Sequence, residues 1–510
     1  MSVQTAQQAL KQYFGYDSFR LSQQAVIERT LAGKSSLVIM PTGGGKSMCY
    51  QLPAILLPGL TLVVSPLIAL MQDQVQGLLS SGINAAALNS ACTPEEEAGI
   101  RSQAQDGQLK LLYVSPERAV TPAFLHWVSN VNLAQIAIDE AHCVSVWGND
   151  FRPEYTQLTA LTRLFPQTPV AALTATADTA TQRDILAQLA LTKCEVFVSS
   201  FERKNIRVDV LPAKNRMPLM RDFIAGHKNE PGIVYCLSRK STEQVAQKLR
   251  GEGYRAQHYH GAMDSDERAR IQQAFLEDKV QIICATIAFG MGIDKPNIRW
   301  IIHYNLPKNI ESYYQEIGRA GRDGEPADAL LFAGYGDMKT LTQFIDGSNA
   351  SETFKEVQRA KLNRMWEYSQ TLSCRTNFIL NYFGEHREAG CGHCDSCLHP
   401  PTSFDGTIIA QKALSAVYRL NQSVGVNMLI DVLRGASNRH VIQAGYDQIK
   451  TYGAGKDIDW KAWQHYIMQL VDRGYLAIDF TRNNALQLTA LSRNVLKGES
   501  TVTLCEQQEP

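Results

Sequence analysis

What this sequence lacks narrows the reading first. Its 50 lysines and arginines balance 50 aspartates and glutamates, so no bulk charge advertises a polyanion or a membrane surface, and any nucleic acid must be met by local basic patches. No apolar stretch approaches the roughly 20 residues that a membrane-spanning helix requires. The opening MSVQTAQQALKQ has neither the basic nor the hydrophobic region of a secretory leader, so a cytoplasmic location is expected. Cysteine is too thinly spread for a disulfide framework, with 11 in 510 residues, and the thiols read as free or metal-bound. Hydrophobic residues at 45% and charged residues at 20% are those of a globular chain, and the length implies about three domains.

What is present begins with Met40-Pro41-Thr42-Gly43-Gly44-Gly45-Lys46-Ser47. It follows an apolar run from Ser36 that reads as a buried strand and precedes a segment able to open a helix, which is the setting of a phosphate loop. Glycines let backbone N–H groups turn onto phosphates, Lys46 can reach the β and γ oxygens, and the Ser47 hydroxyl can hold Mg²⁺. Met40 departs from the usual glycine at the first position, and a plain glycine-rich turn is the alternative. About ninety residues on, the run Ala134 to Ile138 ends in Asp139-Glu140-Ala141-His142. A strand ending in two carboxylates suits Asp139 to the metal and Glu140 to orienting and deprotonating the attacking water. ATP hydrolysis is the expectation.

Short apolar runs alternate with helical stretches from Leu37 to about Ser199: Leu60 to Val64, Leu111 to Val114, Ala134 to Ile138 and Val170 to Leu173. This is the pattern of a parallel sheet with crossover helices. After the polar connector from Ser199 to Asn205 it resumes with Gly232 to Cys236, Ala256 to Tyr259, Val280 to Ala285, Ile298 to His303 and Ala329 to Phe332. The second unit has no phosphate loop but carries the run from Gln315 to Gly324, with Arg319 and Arg322. An arginine supplied across a cleft would stabilise phosphoryl-transfer charge and make hydrolysis depend on closure; a solvated basic turn is the alternative.

From Glu352 to about Gln370 the apolar positions read as an amphipathic helix. Beyond it, Cys374, Cys391, Cys394 and Cys397 follow the spacing C-x16-C-x2-C-x2-C, which suits a closed tetrahedral zinc site. Free thiols or a redox pair are the alternatives, and His393 lies inside the loop between better ligands. Past Pro400-Pro401, helices over Ile409 to Gln422, Asn427 to Leu433 and Trp460 to Arg473 precede strands at Leu476 to Phe480 and Ala485 to Leu488. Helices followed by a hairpin suggest a winged helix, a module for duplex DNA or for docking proteins.

With these residues in view, the chain resembles the RecQ family of DNA helicases over nearly its whole length. Phe14-Gly15-Tyr16 with Phe19, Arg20 and Gln23 is similar to the family's adenine-recognising segment, with the ring on Tyr16 and its polar edge at Gln23; Ser22 replaces the usual glycine. Ser65 to Gln74, Thr174 to Ala177 and Thr286 to Asn297 look like the family's strand-contacting and coupling motifs. Ser145 to Tyr155 is similar to its aromatic-rich loop, in which Trp147, Phe151 and Arg152 would meet DNA. Aromatic faces stack on unpaired bases without reading sequence, at ~1–3 kcal/mol per base; simple core packing is the alternative for the two rings. Val146, Asn149 and Ile317 stand where the family usually has Gln, His and Thr, which puts coupling through those positions in doubt.

The resemblance implies an α/β fold of two RecA-like parallel-sheet lobes, a helical zinc-binding subdomain and a winged-helix domain. The expected division is residues 1–203, 204–340, 341–402 and 403–500, with a flexible tail over 501–510. It implies a DNA-stimulated ATPase that uses ATP, Mg²⁺ and Zn²⁺ and moves 3′ to 5′ on single-stranded DNA to unwind duplex or branched DNA in repair and recombination. The expected protein is a monomer, with a single-stranded-DNA-binding protein as candidate partner. An RNA helicase or remodeller, and a DNA-binding scaffold with a dead ATPase, are the competing readings. Many family members continue into a further helical DNA-binding domain, which is not expected within these residues, whether by nature or by truncation.

Overall fold

The computed structural model describes residues 3–89, 92–148, 150–287, 289, 295–387, 389–479 and 482–506. The chain forms two compact units. One comprises Met1–Phe201, Asn229–Arg299 and Glu311–Glu325, the other Glu202–Lys228, Trp300–Ile310 and Pro326–Pro510. Among the described residues no helix is long and apolar enough to cross a membrane.

The first unit holds a parallel sheet of seven strands: β1 (Ser36–Ile39), β2 (Leu60–Val64), β3 (Ala85–Leu88), β4 (Leu111–Val114), β5 (Leu133–Ile138), β6 (Val170–Thr174) and β7 (Glu195–Val198). Their order is β3-β4-β2-β5-β6-β1-β7. The central strands β1, β2, β4 and β6 are buried at every position, which explains why they read as unbroken apolar runs: crossover helices cover both faces. β6 pairs with β1 on one side and β5 on the other. The carboxyl ends of three adjacent strands therefore bring together the glycine loop after β1, the threonines after β6 and the acidic pair after β5, the place where open α/β sheets bind ligands.

A second set of parallel strands follows: β8 (Ile206–Pro212), β9 (Gly232–Tyr235), β10 (Ala256–Tyr259), β11 (Ile282–Ala285), β12 (Trp300–His303) and β13 (Ala327–Ala333). Within the first unit the order is β10-β11-β9, and within the second β12-β13-β8.

The second unit continues with the helix Glu352–Gln370, capped by the Ser351 side chain accepting from the Phe354 amide, and then Arg375–Tyr382. Helices Thr407–Arg419, Val426–Arg434 and Trp460–Asp472 enclose a core that includes Leu414, Leu429, Trp463 and Ile467. Each such buried side chain contributes about 1.5–3 kcal/mol. The antiparallel hairpin β15 (Leu476–Asp479) and β16 (Ala485–Leu488) follows, while Phe480 lies outside the described residues. One expectation is corrected here. Residues 501–506 are not a loose tail, because Thr503–Cys505 is a strand, β17, paired antiparallel with β14 (Ser403–Asp405). Leu504 is buried and the Cys505 amide donates to Gln469 Oε1 at 2.7 Å.

Candidate functional site

The glycine loop turns because two of its residues adopt backbone that side chains resist: Gly43 has φ 81° and Gly45 φ 79°. Gly44 is required on space instead, since a Cβ there would lie 2.7 Å from Met40 Cγ and 2.9 Å from the Pro41 carbonyl. Met40, the departure from the usual pattern, is fully buried in the core of the first sheet, its side chain packed beneath the turn at Gly44. Lys46 Nζ donates to the Met40 carbonyl at 3.3 Å, and Ser47 stands immediately before the helix Met48–Leu56. Thr42 is on the same turn.

Gln23 is tied to this loop. Its Oε1 accepts from the Arg20 amide at 2.8 Å and its Nε2 donates to the Gly45 carbonyl at 2.9 Å. Tyr16 is 50% exposed, with the Arg20 guanidinium 5.6 Å from its ring centroid. The structure thus gives Gln23 a role in shaping the loop that the sequence reading did not foresee.

Asp139 and Glu140 follow β5 directly. The Asp139 amide donates to the Val64 carbonyl at 2.9 Å, and Tyr155 Oη donates to the Asp139 carbonyl at 3.0 Å. Glu140 has φ 48° and ψ 45°, a left-handed conformation that a residue with a Cβ holds only at a cost of about 1–3 kcal/mol. Burial pushes both carboxyls up, the neighbouring Glu140 raising Asp139 further, while the Lys46 ammonium opposes the shift in both and Arg319 also opposes it at Glu140. Two half-buried carboxyls beside Lys46 offer the oxygen donors that Mg²⁺ accepts.

A polar chain leads away from Glu140. His142 Nδ1 lies 3.3 Å from Glu140 Oε2 and 2.8 Å from Thr174 Oγ1. Thr174 Oγ1 donates to the Thr176 carbonyl at 3.2 Å, and Gln315 Nε2 donates to Thr176 Oγ1 at 2.9 Å. Gln315 belongs to the helix Ile310–Ile317 that precedes the two arginines. A Cβ built on Gly43 would sit 3.4 Å from Arg322 Cγ, and one on Gly318 3.6 Å from Thr42 Cβ, so the arginine turn lies against the phosphate loop. Ile317 is buried, which explains an apolar residue there. The sequence reading gave no role to Gln315, His142 or Tyr155; of these, Gln315 reaches the site from a distant stretch of chain.

The aromatic loop is anchored to its own lobe. Ser145 Oγ donates to Asp184 Oδ2 at 2.6 Å, and Thr181 Oγ1 donates to the Trp147 carbonyl at 3.2 Å. Gly148 must be glycine because a Cβ would collide with the His142 carbonyl. Arg152 contacts Asp150 Oδ2 at 3.3 Å and the Pro66 carbonyl at 3.5 Å. Trp147, Phe151 and Arg152 are all partly exposed, so the rings are not plain core. Asn149 lies outside the described residues, as do 288 and 290–294 of the run from Thr286 to Asn297.

The four cysteines Cys374, Cys391, Cys394 and Cys397 place their sulfurs within 4.8 Å of one another. Backbone amides point at two of these sulfurs: Asn377 and Cys391 donate to Cys374 at 3.5 and 3.2 Å, and Cys394 donates to Cys391 at 3.3 Å. Amide donors stabilise thiolates, so this donor set fits zinc. His393 instead turns its Nδ1 to the Cys391 carbonyl at 2.8 Å. Asp395, within the knuckle, pairs with Arg375 at 2.9 Å and accepts from the Val210 amide at 3.1 Å, fastening the cluster to β8.

A phosphate loop, a half-buried acidic pair, an opposing arginine turn, a four-cysteine cluster and a helical module with a hairpin define a nucleic-acid-dependent ATPase of the two-lobed helicase class. Comparison with known proteins narrows the class. Residues 20–185 match the DEAD/DEAH box helicase model, 215–324 the helicase conserved C-terminal domain, 335–398 the RecQ zinc-binding model and 400–510 the RQC domain. The chain is 47% identical over 502 residues to the ATP-dependent DNA helicase RecQ of Pasteurella multocida, covering 98% of this chain and 79% of that protein. The protein of the same name from Haemophilus influenzae is 46% identical, with 98% and 81% covered. Among solved structures, the Mycobacterium smegmatis helicase Lhr bound to ssDNA and AMP-PNP superposes with TM-score 0.52 over 96% of this chain and 61% of that one, at 16% identity; that likeness concerns the fold alone. The chain belongs to the RecQ family of DNA helicases. Its parallel sheets are RecA-like lobes, followed by the zinc-binding subdomain and the RQC domain.

Proposed function

We propose that this chain converts ATP hydrolysis into 3′ to 5′ movement on single-stranded DNA and so unwinds duplex or branched DNA in repair and recombination. The observation that carries the reading is the arginine turn lying against the phosphate loop, with the Arg322 stem 3.4 Å from the Cβ position of Gly43. In this reading Tyr16, Arg20 and Gln23 hold the adenine end, and the amides of Thr42 to Gly45 with Lys46 hold the phosphates. Ser47 and Asp139 would hold Mg²⁺, which when bound neutralises phosphate charge. Glu140 takes the proton of the attacking water, Arg322 meets the charge developing on the γ-phosphoryl, and Arg319 sets the field at Glu140. The polar chain through His142, Thr174, Thr176 and Gln315 makes the base sensitive to the arginine helix. Zn²⁺ on the four cysteines holds its subdomain in shape, and Trp147, Phe151 and Arg152 meet single-stranded DNA beside Glu140.

We further place the protein in the cytoplasm, as a monomer that meets DNA coated by a single-stranded-DNA-binding protein. The test is unwinding of matched DNA and RNA duplexes carrying 3′ or 5′ tails. ATP-dependent opening of the 3′-tailed DNA is expected, with little on RNA or on 5′ tails. Equal activity on RNA, or a 5′ preference, would overturn the reading.

A further inference from the structure

We propose that His258, His260 and Glu243 form a second metal site, separate from the four cysteines and suited to a divalent transition ion such as zinc. His258 is in β10 and His260 follows its end. Side chains two apart on an extended segment share a face, and the two rings stand 5.5 Å apart between centroids. Glu243, from the helix Arg239–Gly251, brings its Oε1 to 3.0 Å from His260 Nε2. One ligand atom from each of the three lies within 4.8 Å of the others.

A simple imidazole–carboxylate hydrogen bond would explain His260 and Glu243. It leaves His258 without a purpose. The Nδ1 atoms of both histidines are buried and have no hydrogen-bond partner among the described residues, although buried polar atoms are ordinarily satisfied. The His260 side chain is only 8% exposed, whereas Glu243 is 55% exposed, so the pair offers a fixed inner ligand and an outer one that solvent ions can reach. Two imidazoles and a carboxylate are the donors that zinc, copper and nickel accept, whereas calcium and magnesium favour all-oxygen sets. Three donors, one of them a carboxylate on a half-exposed side chain, hold this ion more weakly than four thiolates hold theirs.

An ion here would tie the helix Arg239–Gly251 to the end of β10. Between the histidines, the Tyr259 carbonyl accepts from the Thr286 amide at 3.2 Å, and the Tyr259 ring meets Phe289 at 4.7 Å between centroids. The site therefore stiffens the strand against which the run from Thr286 begins.

The experiment titrates Zn²⁺ alone into the full chain after dialysis that leaves the four-cysteine zinc in place, reading stoichiometry by calorimetry and stability by thermal shift. The parent is expected to take up one further equivalent and to gain stability from it. His258→Asn and Glu243→Gln, both at partly open positions, should each weaken that equivalent by about tenfold or more while retaining the first zinc, which serves as the control for folding. Uptake of no further equivalent by the parent, or undiminished uptake by both variants, would overturn the proposal.

Discussion

Around the phosphate loop, Glu140 is held at φ 48° and two half-buried carboxyls face Lys46; around the four cysteines, the amides of Asn377, Cys391 and Cys394 already point at sulfur. The first arrangement stores cost in its backbone and in its paired carboxyls. The second is satisfied by one ion and has no position to open. A site that must cycle is built from groups with alternatives, and a site that must endure is built from groups with none. Single substitutions should therefore act on rate in one place and on stability in the other.

The largest effect should come from the arginine turn. Arg322→Ala is expected to lower turnover at saturating ATP by about 10³-fold, with a much smaller change in nucleotide affinity, measured by phosphate release and by binding of a fluorescent nucleotide. If the variant lost affinity alone, Arg322 would be a binding residue and the cycling half of the comparison would lose its trigger. Lys46→Ala should lower turnover by roughly 10²–10³-fold while DNA binding, read by anisotropy, stays near the parent's. Glu140→Gln should keep ATP and Mg²⁺ binding yet slow hydrolysis by about 10²-fold or more, since an amide cannot take the water's proton. Loss of nucleotide binding in that variant would show that the carboxylate supports the loop rather than the chemistry.

The enduring site predicts the opposite signature. Cys391→Ser should release the four-cysteine zinc and lower the unfolding temperature by roughly 5 °C or more, checked by metal analysis and calorimetry. DNA-free ATP turnover should change little below that temperature, because no cysteine of the cluster belongs to the nucleotide site. A variant with full stability and no zinc would break the comparison.

How much of this was legible beforehand followed burial. Strands covered on both faces, such as β2 and β4, announced themselves as apolar runs. Edge and alternating strands did not: β3 is Ala-Ala-Ala-Leu, and β8 alternates buried Ile206 and Val208 with Arg207 and Asp209. The three-residue strands β14 and β17 pair across about a hundred residues, a separation that no local pattern encodes. The sites divide in the same way. The glycine loop, acidic pair and cysteines are contiguous or closely spaced, so chemistry alone suggested them. The contact of Gln315 with Thr176 and the hold of Gln23 on Gly45 exist only once separate strands are brought to one edge, and Met40 was puzzling until its side chain was found in the core.

The smallest effect, and the one that joins the two halves, concerns the aromatic loop. Trp147 and Phe151 belong neither to the phosphate-loop residues nor to the four-cysteine cluster. They follow Glu140 within a segment held by the Ser145 hydroxyl donating to Asp184 and by the Trp147 carbonyl accepting from Thr181. Both rings are partly exposed and the segment from Ser145 to Trp147 is anchored, so a base stacked on Trp147 would load an anchored segment close to Glu140. Stacking contributes ~1–3 kcal/mol per base. Trp147→Ala or Phe151→Ala should therefore raise the DNA concentration for half-maximal stimulation by about fivefold or more, at the low end of that range. The DNA-free rate should stay near the parent's, because both rings lie outside the phosphate-binding residues. The measurement is ATP turnover against single-stranded DNA concentration, with the DNA-free rate as the internal control. Equal losses in both rates would make the rings supports for Glu140, and the loop would then belong with the static parts of the molecule rather than the moving ones.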